Sequence, residues 1–168
     1  MSVQALIGVA RTNLRHMAYT AQEARLQLLD DLARGTDELA LGLACVGEAY
    51  DQLDEQSGDA VEEQLFRPLQ AAYGRARRTH SGFASRYDLQ QRTFEPRSPG
   101  THSNDPRVYL ERTIEATERA DQLIAELQDS MMPVEVGDPE LRAGLAEVRE
   151  LLGEVPTRAR EFVRTLGR

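Results

Sequence analysis

Residues 3–28 read VQALIGVARTNLRHMAYTAQEARLQL, and the spacing of their apolar positions decides the fold. Val3, Ile7, Ala10, Leu14, Met17, Ala21, Ala24 and Leu28 recur at intervals of 4-3-4-3-4-3-4. That is an a/d seam of nearly four heptads, the pattern of a helix packed lengthwise against a partner. The same rhythm closes the chain in Leu141, Leu145, Val148, Leu152, Val155, Ala159, Phe162 and Leu166. Leucine and alanine, both strong helix formers, are among the commonest residues. No stretch alternates apolar and polar residues as a half-buried strand does. The expected fold is all-α: one domain over residues 1–168, an antiparallel coiled-coil-like bundle of four or five long helices.

Working outward, the first helix is expected to reach about Ala33, with Gly35 as its C-cap and Thr36-Asp37 opening a second helix to about Glu55. A lone glycine costs a helix only about 1 kcal/mol, so one continuous rod is the alternative. The uncharged run Leu39-Ala-Leu-Gly-Leu-Ala-Cys-Val-Gly47 is apolar all round, the mark of a helix buried on every side or of a subunit interface. Gln56-Ser57-Gly58 reads as a turn, followed by a capping box from Asp59 to Glu62. The third helix then runs to about Gln91, kinked at Pro68. Residues 92–104, with Pro96, Pro99 and Gly100, read as a connection or subdomain boundary. Asp105-Pro106 and Asp138-Pro139 each supply an N-cap with proline at the first helical position. The fourth helix carries a core face of Tyr109, Ala116, Ala120, Leu123, Ile124, Leu127 and Met131, and ends at Pro133 to Gly137. The fifth is expected to kink at Pro156 without breaking.

The composition narrows function mainly by exclusion. A net charge of −8 disfavours a surface devoted to nucleic acid or acidic lipid. All twenty basic residues are arginine, as a GC-rich bacterial genome would give. Cys45 is the single cysteine and the three histidines are dispersed, so no metal or cofactor is expected. No apolar run reaches the roughly 18 residues of a membrane span, and Met1-Ser2-Val3-Gln4 does not open like a secretion signal. A cytoplasmic, acidic protein is expected. Residues 1–22 hold Arg11 and Arg15 with no acid, but the alanines in their seam suit helix packing better than membrane insertion. Nucleophile elbows and phosphate-binding loops are missing, and no enzymatic activity is expected.

Three constellations remain as candidate sites. Tyr73, His80 and Tyr87 sit seven residues apart on one helix face, either a core seam or the wall of a small-ligand pocket. Arg75, Arg78 and Arg86 fall in one sector of a segment that carries six arginines and one acid between Arg67 and Arg92. That face suits charge pairing with carboxylates of this chain or a partner, or, as an alternative, nucleic acid. Ala40, Ala44 and Gly47 form a small-residue strip that would let two backbones approach. The function expected is a structural or protein–protein interaction module, self-associating as a homo-oligomer or a subunit of a larger assembly. The alternatives are a ligand-sensing bundle built on the aromatic seam and an accessory subunit of a nucleic-acid complex.

Overall fold

The computed structural model describes the backbone of residues 3–130 and 137–167, and the side chains of residues 21–130 and 137–167. The chain is an all-α helical bundle with no strand among those residues. Helix α1 spans Val3–Asp51, α2 Glu55–Val61, α3 Arg67–Arg86, α4 Pro106–Asp129, α5 Pro139–Leu152 and α6 Val155–Leu166. A π-helical segment, Glu62–Phe66, joins α2 to α3 without a break. Met131 and Pro133 lie outside the described residues, as do Arg168 and the seam side chains from Val3 to Met17.

Helix α1 is continuous through Gly35, against the expected break. The reason is packing. A Cβ at Gly35 would lie 3.4 Å from Ile124 Cγ1 and 3.9 Å from the Ala120 carbonyl oxygen, so the glycine marks a close approach of α4. Thr36 caps nothing: its buried hydroxyl donates back to the Leu32 carbonyl at 2.8 Å. Gln56-Ser57-Gly58 is also helical. The cap of α2 is Asp54, whose carboxylate accepts from the Ser57 amide at 2.9 Å, displacing the capping box expected at Asp59 and Glu62. Pro68 lies in the first turn of α3 rather than in a helix interior. The preceding turn widens, with the Arg67 amide reaching Glu62, and so absorbs the missing proline N–H. Helix α3 stops at Arg86, short of Gln91, because Asp88 turns left-handed (φ 52°) and the Leu89 amide reaches back to Ala84 at 2.8 Å. The fifth helix of the sequence reading is two: Gly153-Glu154 separate α5 from α6, and Pro156 sits in the first turn of α6, where its missing donor costs nothing.

The rods stand in a square, α1 beside α3, α3 beside α5, α4 beside α5 and α6, and α4 beside α1. Neighbours are antiparallel. Gly35 lies against Ile124 and Gly42 against Thr117, while Gly42 also meets Leu69 and Arg25 meets Tyr87. Helices α3 and α4 therefore run the same way, and residues 87–105 must travel the length of the bundle to join them. They cross over α1 as a strap. Arg92 and Arg97 bind Asp37 at 2.7 and 3.1 Å, the Pro99 carbonyl faces the Cys45 thiol at 3.7 Å, and the Ser103 carbonyl accepts from Gln52 at 2.8 Å. The Arg112 guanidinium clamps the strap's Pro99 and Thr101 carbonyls at 2.9 and 2.8 Å.

A square of four rods has no central one. The Leu39–Gly47 run is accordingly not buried all round: Leu39, Cys45 and Val46 are fully enclosed, whereas Leu41, Leu43, Ala44 and Gly47 are only partly buried. The expectation of burial on every side fails for that reason. Helix α4 has the broader buried face, adding Leu110, Thr113, Ile114 and Thr117 to the predicted positions, because it meets α1 on one flank and α5 and α6 on the other.

At its N-terminal end α1 outruns its neighbours. Tyr87, just past α3, is level with Arg25, and α5 begins at the same height, where Asp138 binds Arg86. The first fully buried side chain of the described part of α1 is Leu28. Between Val3 and Arg25, α1 continues for 22 residues, about 33 Å of helix.

Candidate functional site

Tyr73, His80 and Tyr87 share a face of α3 but are taken up by different neighbours. Tyr73 lies beneath the Arg77 guanidinium, 5.3 Å from its ring centre. His80 is 3% exposed and meets the edge of Phe94 in the strap at 5.1 Å. Tyr87 sits 4.7 Å from Phe83, below the Arg25 guanidinium at 4.2 Å, and hydrogen-bonds Asp138. The three rings do not converge on a common space. Among the described residues His80 Nδ1 has no hydrogen-bond partner. Burial, with the nearby Arg92 charge, pushes the imidazole below its ordinary pKa against a backbone hydrogen bond to Leu29.

The arginine sector divides. Arg75 pairs with Glu147 of α5. Arg86 grips the buried Asp138 carboxylate through two nitrogens at 2.8 and 2.9 Å and reaches Glu140 at 2.6 Å. Asp138 also caps α5, accepting from the Leu141 amide at 2.9 Å. Burial alone would raise its carboxyl pKa, but the Arg86 and Leu141 hydrogen bonds outweigh that and hold it low. Two of the three arginines thus join α3 to α5 inside one chain. Arg78 does not; among the described residues no carboxylate is paired with it or with Arg77.

Arg77 and Arg78 line a groove between α3 and the start of the strap. Its volume is about 490 Å³, and Gly74, Ser81, Gln91, Arg92, Thr93 and Phe94 complete it. Gln91 is pinned to α3 through Ser81 at 3.1 Å and Ser85 at 2.7 Å. Sequence reasoning missed Gln91 and Phe94, and counted Arg92 only as part of the arginine-rich segment, because nothing local shows that residues 91–94 return to α3. The one available signal was Phe94, a large apolar residue alone in a polar, proline-rich loop.

Ala40, Ala44 and Gly47 also part company. Ala40 is 6% exposed within the bundle, while Ala44 and Gly47 border a groove of about 470 Å³ between α1 and the π segment. Leu43 and Phe66 form its apolar part, and Glu48, Asp51 and Glu62 also line it. A Cβ at Gly47 would touch nothing within 4 Å, so the glycine serves no close approach among the described residues. Cys45, facing the strap, is fully buried, and burial pushes its thiol up to about 11. Among the described residues no three of His, Cys, Asp and Glu lie together as metal ligands, and no helix is long and apolar enough to cross a membrane. Compared with known proteins, the chain matches no family model, no curated protein and no solved structure.

Proposed function

We propose that this chain is a non-enzymatic interaction module that self-associates through the N-terminal half of α1. One observation carries the reading: α1 runs on for about 33 Å beyond the level where the neighbouring helices end, and its heptad seam runs on with it. An a/d seam that has no neighbouring helix beside it among the described residues would leave apolar surface in water, and pairing with a second copy would remove it. Register supports a second copy. With Val3, Ala10, Met17 and Ala24 at d and Ile7, Leu14, Ala21 and Leu28 at a, the flanking e and g positions hold Gln4, Leu6, Arg11, Asn13, Ala18, Thr20, Arg25 and Gln27. In a parallel pair, g meets e of the following heptad as Leu6 with Arg11, Asn13 with Ala18 and Thr20 with Arg25, so no like charges oppose. The Ala44–Gly47 groove is the weaker self-contact, because a twofold pairing there would bring Glu48, Asp51 and Glu62 close to their own copies.

The test is mass in solution by sedimentation equilibrium over a range of concentrations, for the natural chain, Leu14→Asp and Ala44→Glu. The expected result is an oligomer that Leu14→Asp returns to monomer with its helical melting transition retained, and that Ala44→Glu leaves intact. A strictly monomeric natural chain at high micromolar concentration, or an oligomer that survives Leu14→Asp, overturns the proposal.

A further inference from the structure

We propose that the groove between α3 and the strap is a binding site for a small phosphate-bearing anion. Three guanidinium groups, Arg77, Arg78 and Arg92, line it together with the hydroxyl and amide side chains of Ser81, Gln91 and Thr93, and among the described residues no carboxylate lines it. The Ser81 hydroxyl already donates to Gln91, and the Gln91 amide to Ser85, so the donors for an anion are chiefly the guanidinium groups, whose planar forks bind phosphoryl oxygens in pairs. The state of the neighbouring arginines singles the groove out. Arg67, Arg75 and Arg86 of the same segment are each satisfied by a carboxylate of the chain, and Arg92 is anchored to Asp37. Arg77 and Arg78 are exposed and carry no such pair among the described residues, although the chain has eight more acids than bases. Arg142 and Arg164 are also exposed without such a pair among the described residues, but Arg77 and Arg78 stand together in a groove whose described lining holds no carboxylate, and there an external anion is the natural counter-charge.

Shape chooses the class of ligand. The groove is concave and, at about 490 Å³, falls within the range of small-molecule sites. A nucleic acid would have to lay many phosphates along a surface whose overall charge is −8. The half-buried Phe94 ring at the groove offers a flat apolar contact beside the arginines, which suits an organic phosphate carrying a ring. The walls are also held in place: Gln91 is tied to two serines of α3, and Arg92 lies 5.1 Å from the Phe94 ring centre.

The experiment is calorimetric titration of the full chain with sodium pyrophosphate and with ADP at fixed ionic strength, with sodium sulfate as the simple-anion control. The variants are the pair Arg77→Gln with Arg78→Gln, and Arg142→Gln as an exposed arginine elsewhere. Saturable binding of pyrophosphate or ADP, about tenfold tighter than sulfate and weakened about tenfold or more by the paired variant alone, is the expected result. ADP binding well above pyrophosphate assigns the ligand to ring-bearing phosphates, and equal binding assigns it to the phosphates alone. The proposal is overturned by an absence of saturable binding, or by the same loss in Arg142→Gln. It is equally overturned by a single-stranded oligonucleotide that binds through these arginines when neither small phosphate does.

Discussion

Replacing Gly144 with alanine tests the packing of α3 on α5, because generic and structural expectations have opposite signs there. In an exposed helix interior, glycine to alanine gains about 1 kcal/mol. At position 144 a Cβ would lie 2.2 Å from Thr79 Oγ1, 2.7 Å from its Cγ2 and 3.0 Å from its Cβ. Rotating Thr79 cannot cure all three contacts, since its Cβ does not move with χ1, and it would break the 2.8 Å hydrogen bond from Oγ1 to the Arg75 carbonyl. The two helices must separate instead. Overpacking of this kind costs about 1–3 kcal/mol, and a three-atom contact with a β-branched side chain belongs near the top of that range. Subtracting the propensity gain leaves a net loss of about 2 kcal/mol, or a melting temperature lower by about 4–8 °C for a domain of this size. Thermal and urea unfolding followed by circular dichroism, at one protein concentration, would measure it. The cycle with Thr79→Ala sharpens the test, because that change removes the two closest atoms. In that background Gly144→Ala should cost less than about 1 kcal/mol, giving a coupling of at least about 1 kcal/mol. A stabilised Gly144→Ala single variant, or a penalty undiminished in the Thr79→Ala background, would refute the close approach of α3 and α5.

Four other outcomes are expected. Gly47→Ala, with open space around its Cβ, should stabilise the chain by about 0.5–1 kcal/mol and leave its mass in solution unchanged; a lower melting temperature would mean that something covers this groove. Asp138→Ala should cost about 2–3 kcal/mol by removing both the α5 cap and the Arg86 partner, with Asp138→Asn milder because it keeps an acceptor for Leu141, and equal losses would deny the cap hydrogen bond its share. Since the folded chain holds His80 below its ordinary 6.5 and Asp138 below its ordinary 3.8, the unfolded chain takes up protons first in both cases. Stability should be full above about pH 6.5, decline as pH falls through that value, and decline again below about 4; a urea midpoint flat from pH 7 to 5 in the natural chain would contradict the His80 part. The Cys45 thiol, raised to about 11 and shielded by the strap, should react with a disulfide reagent at pH 8 far more slowly in the folded chain than in urea, and rapid labelling of the native protein would count against the strap's placement.

What could be read from the sequence was whatever depends on neighbours along the chain. Asp105-Pro106 and Asp138-Pro139 open their helices as their local chemistry dictates, and the closing seam keeps Leu145, Val148, Leu152, Val155 and Ala159 inside across the α5–α6 break. Errors arose where a residue's role is set from across the bundle. Gly35 carries the grammar of a cap, but α4 needs its missing side chain more than α1 needs an end. The Ser57-Gly58 pair resembles a turn, yet a Cβ at Gly58 would stand 3.3 Å from the Tyr50 ring, which makes it a contact position in a helix. The arginine sector read as one face became two ion-paired struts and one groove residue, because pairing depends on α5 carboxylates some 52 to 72 residues away. The groove itself was invisible for the same reason: half of its wall comes from a loop whose destination no local pattern records.

That destination also has a consequence in time. Because the strap returns the chain to the far end of the bundle, the main partner of α1 is α4; Glu38, for example, meets Arg119 across 81 positions. At about 5–20 residues per second of synthesis, the α4 face of a nascent α1 waits roughly 4–16 s before its covering helix is made. During that interval α1 and α3 can close only one side of the square, and Leu39 and Val46 lack their final enclosure. The order of the rods in space therefore makes the growing chain more exposed to unwanted association than a simple up-and-down bundle, whose consecutive helices pair as they emerge.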